Sequence, residues 1–379
     1  MARRLWPLLA ALAVLAVLAA ALLSNRYGRT ALTSALFLPD MLLPLPVRPV
    51  TWFTDDPVRE QVTLRYASKR MTADLYRPPG DGRHGAIIFV MGAPPLDLDD
   101  ERLVKLGEDA ARAGVVMLVP FSPDLDRELI VVEEPQAYVA AFRLLEELPY
   151  VDPERIGFIG VSVGGSLALL SAADPAIAAR VDFVIPFGAY YDTLDILEAV
   201  TTRSTVYQGQ RQSWNPRQHT VKVLSKQIIE RLDDPLDRRT LSRIFVERKE
   251  ATPADLAALT AQGRAAYDFL SNRDPARVEE LMSHLPARAL EEMRLLSPSR
   301  NVDQVQAELF ILHDRGDRFI PYAESRRLRD RLAGRPDVHY TELAIFEHVE
   351  PNPGAGAEAL FLDGARLYFR LYQLLLRLG

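Results

Sequence analysis

The stretch Ile156-Gly157-Phe158-Ile159-Gly160-Val161-Ser162-Val163-Gly164-Gly165 decides the fold. Ile156 to Ile159 read as a buried strand, Val163 to Ala173 as a helix, and Gly160, Ser162 and Gly164 stand at the junction as G-x-S-x-G. In that setting the motif is a nucleophile elbow. The serine is held on a tight, strained turn, and side chains on the flanking glycines would collide with the neighbouring strand and helix. A helix beginning at Val163 also directs its free N–H groups and positive dipole end at the turn, where acyl transfer would develop negative charge.

Working outward, the pattern repeats. Gln61 to Tyr66 and Thr72 to Tyr76 alternate as strands, Gly80-Asp81-Gly82 makes a turn, and Ala86 to Met91 is a continuous apolar run typical of a strand buried on both faces. Glu101 to Ala113 reads as helix, Val115 to Pro120 as strand, Pro135 to Leu148 as helix and Val181 to Pro186 as strand. Such alternation predicts an α/β fold, a doubly wound, mostly parallel sheet with helices on both faces. From Thr193 to Val302 the alternation stops, and charged helical segments (Val221 to Leu232, Pro253 to Leu270, Pro275 to Leu295) replace it with no clear buried strand. It resumes with Leu309 to Leu312, Tyr322 to Leu332, Tyr340 to Phe346 and Ala357 to Leu378. The 379 residues therefore divide into a core at 59–192 and 303–379 and a helical insertion at 193–302.

A serine nucleophile needs a base. Of six histidines, His348 lies late in the chain between the Tyr340 to Phe346 strand and the last helix, at the carboxyl edge where ligand sites of open α/β sheets gather. His313 also ends a strand and is its rival; His84, His219, His284 and His339 read as surface or core residues. The base needs an orienting carboxylate, and the run from Phe310 to Pro321 supplies two, Asp314 and Asp317. The oxyanion donors expected are the N–H of Val163 and one from the loop Met91-Gly92-Ala93-Pro94-Pro95; the prolines have no N–H, which leaves Gly92 or Ala93, with Ala93 preferred.

Leu148-Pro149-Tyr150-Val151-Asp152-Pro153-Glu154-Arg155-Ile156-Gly157, running into the elbow, resembles the dienelactone-hydrolase and prolyl-oligopeptidase branch of the α/β-hydrolase superfamily. The resemblance implies that Asp317, four residues before Pro321, is the acid, and that the order Ser162, Asp317, His348 is the triad order. It also implies that 193–302 is a cap over the pocket, which makes Tyr190 and Tyr191, where the cap leaves the sheet, candidate pocket walls. Three departures bound it. The chain has no cysteine, so the cysteine nucleophile of dienelactone hydrolases is absent; residues 27–58 are too few for a propeller; and Met91-Gly92 stands where many members have His-Gly. Glu347, in place of a common glycine, would raise the basicity of His348 if it lay close.

Arg3 and Arg4 precede an apolar run from Leu5 to Leu23, long enough to span a bilayer, so residues 1–26 read as a signal anchor that tethers an exported body to the membrane; Ala19 to Ala21 offer the alternative of a cleaved signal and a secreted enzyme. Residues 27–58, with Pro39, Pro44, Pro46 and Pro49, read as a proline-rich linker that cannot form a regular helix. For the last helix a place on the sheet is expected rather than one on a membrane surface. Residues 27–379 carry 42 basic against 51 acidic residues, which argues against nucleic acid as a partner. The expected function is a serine hydrolase cleaving small carboxylic esters, with no metal or cofactor. A peptidase or amidase with the same triad is one alternative, and an inactive hydrolase fold that binds a ligand at the envelope is another.

Overall fold

A computed structural model describes residues 24–42, 48–352 and 354–379 of the chain. The apolar run at 5–23 lies outside these residues. Among the described residues no helix is long and apolar enough to cross a membrane.

Eight strands form one sheet: β1 (Val58–Tyr66), β2 (Lys69–Arg77), β3 (His84–Val90), β4 (Val116–Phe121), β5 (Val151–Val161), β6 (Phe183–Phe187), β9 (Glu308–Asp314) and β10 (Val338–Leu343), in the order β1-β2-β4-β3-β5-β6-β9-β10. A short hairpin, β7 (Ser204–Tyr207) and β8 (Gln210–Ser213), stands apart from it. The β1-β2 hairpin and the β2-β4 pairing are antiparallel; every pairing from β4 to β10 is parallel. The fully apolar reading of β3, β4 and β6 follows from this, because helices cover both faces. On one face Ala137, Phe142, Leu145, Leu167 and Leu169 from the Glu134–Glu147 and Val163–Ala172 helices are completely buried. On the other, the Ala357–Leu378 helix packs Leu374, Leu375 and Leu378 against Ile87, Phe183 and Phe310. That helix ends so close to β3 that a Cβ on Gly85 would lie 2.9 Å from the Leu378 Cα.

Parallel strands place their carboxyl ends on one edge. The loops after β3, β5, β6, β9 and β10 all emerge there, and they carry Gly92, Ser162, Gly188, Asp317 and His348.

Several local expectations need correction. The supposed linker is helical over Arg26–Leu42. Asn25 Oδ1 accepts the Gly28 N–H at 2.8 Å as an N-cap, Phe37 is buried, and Tyr368 Oη donates to the Ala31 carbonyl. Pro39 falls in the last turn, where its missing N–H costs one hydrogen bond that packing on the last helix offsets. Within 193–302, Pro253 to Leu270 is two helices (Pro253–Ala258 and Ala261–Ser271), and Pro275 to Leu295 breaks at Pro286, whose ring cannot continue the preceding turn. The β7-β8 hairpin was not expected; Gln208 and Gly209, both at positive φ, make its two-residue turn. Strand β10 stops at Leu343, and Phe346–Glu347 pairs instead with Glu350–Pro351. Apolar side chains of the insertion, among them Ile228, Ile229, Leu241 and Phe269, belong to the same continuous core as the sheet.

At the far edge of the sheet, Glu342 on β10 accepts from Arg326 and Arg315 at 2.6 Å each and from Tyr340 Oη at 2.8 Å. Burial alone would raise its pKa, but these donors outweigh it and bring it down to about 2 from an ordinary 4.5. A folded-state value below the unfolded one stabilises at pH above 4.5, and that stability is lost as pH falls from 4.5 toward 2. Glu342→Gln is therefore expected to lower stability by roughly 2 kcal/mol at pH 7. Denaturant melts at stepped pH check this: the gap from the parent chain closes in acid.

Candidate active site

Ser162 sits between β5 and the Val163–Ala172 helix at φ 58°, ψ −131°, a left-handed conformation that a non-glycine residue holds only under constraint. The constraint is visible around it. A Cβ on Gly160 would lie 2.3 Å from the Gly164 carbonyl oxygen, and one on Gly164 would lie 2.1 Å from the Val90 carbonyl oxygen, so the elbow is pressed between β3 and its own helix. The Ser162 N–H donates to the Phe187 carbonyl at 2.8 Å, which pins the turn to the end of β6. Val163 opens the helix, where the first N–H groups have no intrahelical acceptor. Across from it runs the loop after β3: a Cβ on Gly92 would be 3.1 Å from the Ser162 Cβ.

The residue after Phe187 is Gly188, at φ 63°, and a Cβ there would meet the His348 ring at 3.1 Å and Asp317 Oδ2 at 3.4 Å. The Phe187–Gly188 bend therefore has Ser162 on one side and His348 on the other, and only glycine fits it. His348 Nδ1 donates to Asp317 Oδ2 at 2.6 Å. Its ring is buried and stacks on Phe319 with centroids 4.8 Å apart. Its other nitrogen, Nε2, is buried with no hydrogen-bond partner.

Asp317 is almost wholly enclosed. Its Oδ1 accepts the N–H groups of Phe319 (2.7 Å) and Ile320 (2.9 Å), and Oδ2 also lies 3.2 Å from His313 Nε2. Burial would raise its pKa, but the two histidines outweigh this and hold the carboxyl well below the carboxylate range. Asp314 does different work. It accepts from the Gly316 N–H at 2.7 Å and from the Phe346 N–H at 3.0 Å, tying the acid loop to the histidine loop, and burial pushes its pKa up. The structure thus brings His348 to Asp317 and not to Asp314. His313, the rival base, is completely buried between Ser325 and the Ile320 carbonyl, behind the Asp317 carboxylate.

The two candidate pocket-wall tyrosines make contacts of their own. Tyr190 is buried and its Oη donates to the Leu296 carbonyl, joining core to insertion. Tyr191 donates its backbone N–H to Glu324 at 3.0 Å. Glu347 pairs with Arg217 of the insertion, so its charge is already partnered.

The sequence singles out Trp214, Asn215 and Pro216 as suggestive of a pocket wall, but it does not expose the contacts of the segment 214–219. Trp214 Nε1 donates to the Asp317 carbonyl at 2.9 Å, the Arg217 N–H donates to the Arg318 carbonyl at 2.7 Å, and Arg318 Nε returns to the Asn215 carbonyl. His219, set aside as a lone histidine, donates from Nε2 to the Ala93 carbonyl at 2.9 Å. One short strap therefore touches the acid loop, the histidine loop and the oxyanion loop. The only signal for it was the Trp-Asn-Pro run itself. Trp214→Phe leaves a buried carbonyl unpaired, with an expected stability loss of about 1–3 kcal/mol. Turnover is expected to fall more than KM rises, which steady-state kinetics would measure.

No family model matches the chain. It is 33% identical over 126 residues to a probable 2-oxo-3-(5-oxofuran-2-ylidene)propanoate lactonase from a Bradyrhizobium species, a match covering 29% of this chain and 50% of that protein. The chain thus aligns with about half the length of this relative. Among solved structures it is similar to an acylaminoacyl peptidase from Pyrococcus horikoshii, with a TM-score of 0.50 at 13% identity over 88% of this chain and 44% of the other. A 2,6-dihydroxy-pseudo-oxynicotine hydrolase superposes with a TM-score of 0.49 at 17% identity over 84% of this chain and 68% of that one.

Proposed function

We propose that the chain, which has the α/β-hydrolase fold, is a serine hydrolase acting on carboxylic esters through an acyl-enzyme. The observation that carries this is the His348 ring, held by Asp317 on one nitrogen and buried without a partner on the other, across the Phe187–Gly188 bend from a strained Ser162. In this reading Ser162 Oγ attacks the carbonyl carbon while His348 Nε2 takes its proton. Asp317 keeps the Nδ1–H tautomer and stabilises the imidazolium. The N–H groups of Val163 and Ala93, with Gly92 giving the loop its close approach, receive the oxyanion. Collapse of the tetrahedral adduct breaks the C–O bond, and the alcohol leaves with the proton from His348. Water then attacks the acyl-enzyme by the same proton path and frees the acid.

Ester chemistry is favoured over amide chemistry by the lactonase relative, since a lactone is an internal ester. The peptidase reading rests on a fold likeness alone. We also place the catalytic body outside the cytoplasm, tethered through 5–23, on the strength of Arg3 and Arg4 before that apolar run.

A fluorophosphonate probe followed by peptide mapping tests the nucleophile, with label expected on Ser162. A panel of aryl esters of rising acyl length beside peptide anilides tests the leaving group. A folded chain that takes no label overturns the serine assignment, and faster anilide cleavage transfers the reading to the amidase.

A further inference from the structure

The Ala357–Leu378 helix runs from the loop that carries His348 to the opposite edge of the sheet, and its two ends differ. The C-terminal end is buried on the sheet through Leu374, Leu375 and Leu378. The stretch up to Phe369 turns large apolar side chains outward: Phe361 is 76% exposed and Phe369 56%, with Leu362 also exposed. Phe361 and Phe369, eight residues apart, share one side of the helix. The Arg26–Leu42 helix packs against this helix through Tyr368 and Ala31, and it too exposes apolar side chains, Tyr27 and Leu32. The expectation that the last helix belongs wholly to the core holds for its C-terminal end.

Such side chains on two packed helices ask for a cover. The chain indicates which. The apolar run ends at Leu23, and three residues reach at most about 11 Å, so Arg26 lies within that distance of the point where such a run leaves a bilayer. The first turn of the helix is Arg26-Tyr27-Gly28-Arg29, cations and an aromatic ring of the kind that settle at headgroup depth. We infer that the face made by the Arg26–Leu42 helix and the Ala357–Leu378 helix up to Phe369 rests on the surface of a lipid bilayer, with Phe361 and Phe369 at the boundary of headgroups and acyl chains. This rests on the reading of 5–23 as a membrane anchor.

The lack of cysteine makes the test direct, because single cysteines can be placed at will. Full-length Phe361→Cys and Phe369→Cys chains, with Glu291→Cys on the insertion as reference, are spin-labelled in nanodiscs of phosphatidylcholine and phosphatidylglycerol; thermal melts verify folding. Labels at 361 and 369 are expected to collide several-fold more with oxygen than with a water-soluble nickel chelate, and the label at 291 to show the reverse. A disc-bound chain whose labels at 361 and 369 match that at 291 overturns this inference alone. Dipolar broadening that vanishes on dilution with unlabelled chain, without oxygen preference, assigns the face to a second copy and overturns it also. A chain that enters no disc overturns the anchor reading and this inference with it.

Discussion

Ser162→Ala is expected to reduce kcat for a short-chain aryl ester by roughly 10⁵–10⁶-fold while leaving the fold intact. The loss is this large because in the proposed mechanism the hydroxyl forms the covalent intermediate, and neither His348 nor the oxyanion donors could replace it. What remains is the modest acceleration of water attack by binding and by the N–H groups of the turn. Folding should survive, since Ser162 Oγ makes no hydrogen bond that holds the elbow; the turn is pinned by backbone, through the Ser162 N–H on Phe187 and the crowding of Gly160 and Gly164. Steady-state kinetics on the purified variant, beside its thermal melt, measure both halves. A variant that keeps more than a hundredth of the parent turnover would remove Ser162 from the chemistry.

The second large effect separates two aspartates three residues apart. Asp317→Asn is expected to lower kcat by roughly 10⁴-fold, because an amide nitrogen facing His348 Nδ1 would stabilise the tautomer with its proton on Nε2, the nitrogen that takes the serine proton in the proposed mechanism. The two backbone donors from Phe319 and Ile320 favour that outcome: they hold the amide oxygen at the Oδ1 position and turn the nitrogen toward the imidazole. Asp314→Asn should behave differently. Its carboxylate receives only backbone N–H groups, from Gly316 and Phe346, and an amide keeps one of them. Loss of about 1–3 kcal/mol of stability with activity within about tenfold of the parent is expected there. Equal loss of turnover in both variants would show that the loop works as a unit and that Asp317 has no separate role.

The sheet was legible because its signal is local and redundant. Strands β3, β4, β6 and β9 and the second half of β5 are short apolar runs bounded by turn residues, and the elbow compresses strand, turn and helix into ten positions whose glycines have a steric reason. Ser162 and His348 could be proposed from place in the chain alone. Asp317 could not; the residues left it level with Asp314, and what separates them in the structure is where His348 lies, a contact across 31 residues. The Arg26–Leu42 helix was misread because Pro44, Pro46 and Pro49 beyond its end and Pro39 within its last turn argue against a helix over the whole stretch; the helix packs on another more than 300 residues later. The strap at 214–219 was hidden for a related reason. Its contacts are a side chain on a distant carbonyl, as with Trp214 and Asp317 or His219 and Ala93, and no spacing within the sequence encodes such a partner.

The backbone of Ser162 carries a final implication. A non-glycine residue at φ 58°, ψ −131° is strained by roughly 1–3 kcal/mol, and a whole domain is commonly stable by only about 5–15 kcal/mol. One residue therefore withholds a visible part of the margin against unfolding at every moment, whether or not substrate is present. A residue that relieved this strain would leave the chain more stable by a similar amount, and the hydroxyl would no longer be held at the turn between β5 and its helix. Durability and readiness are set against each other at a single φ angle.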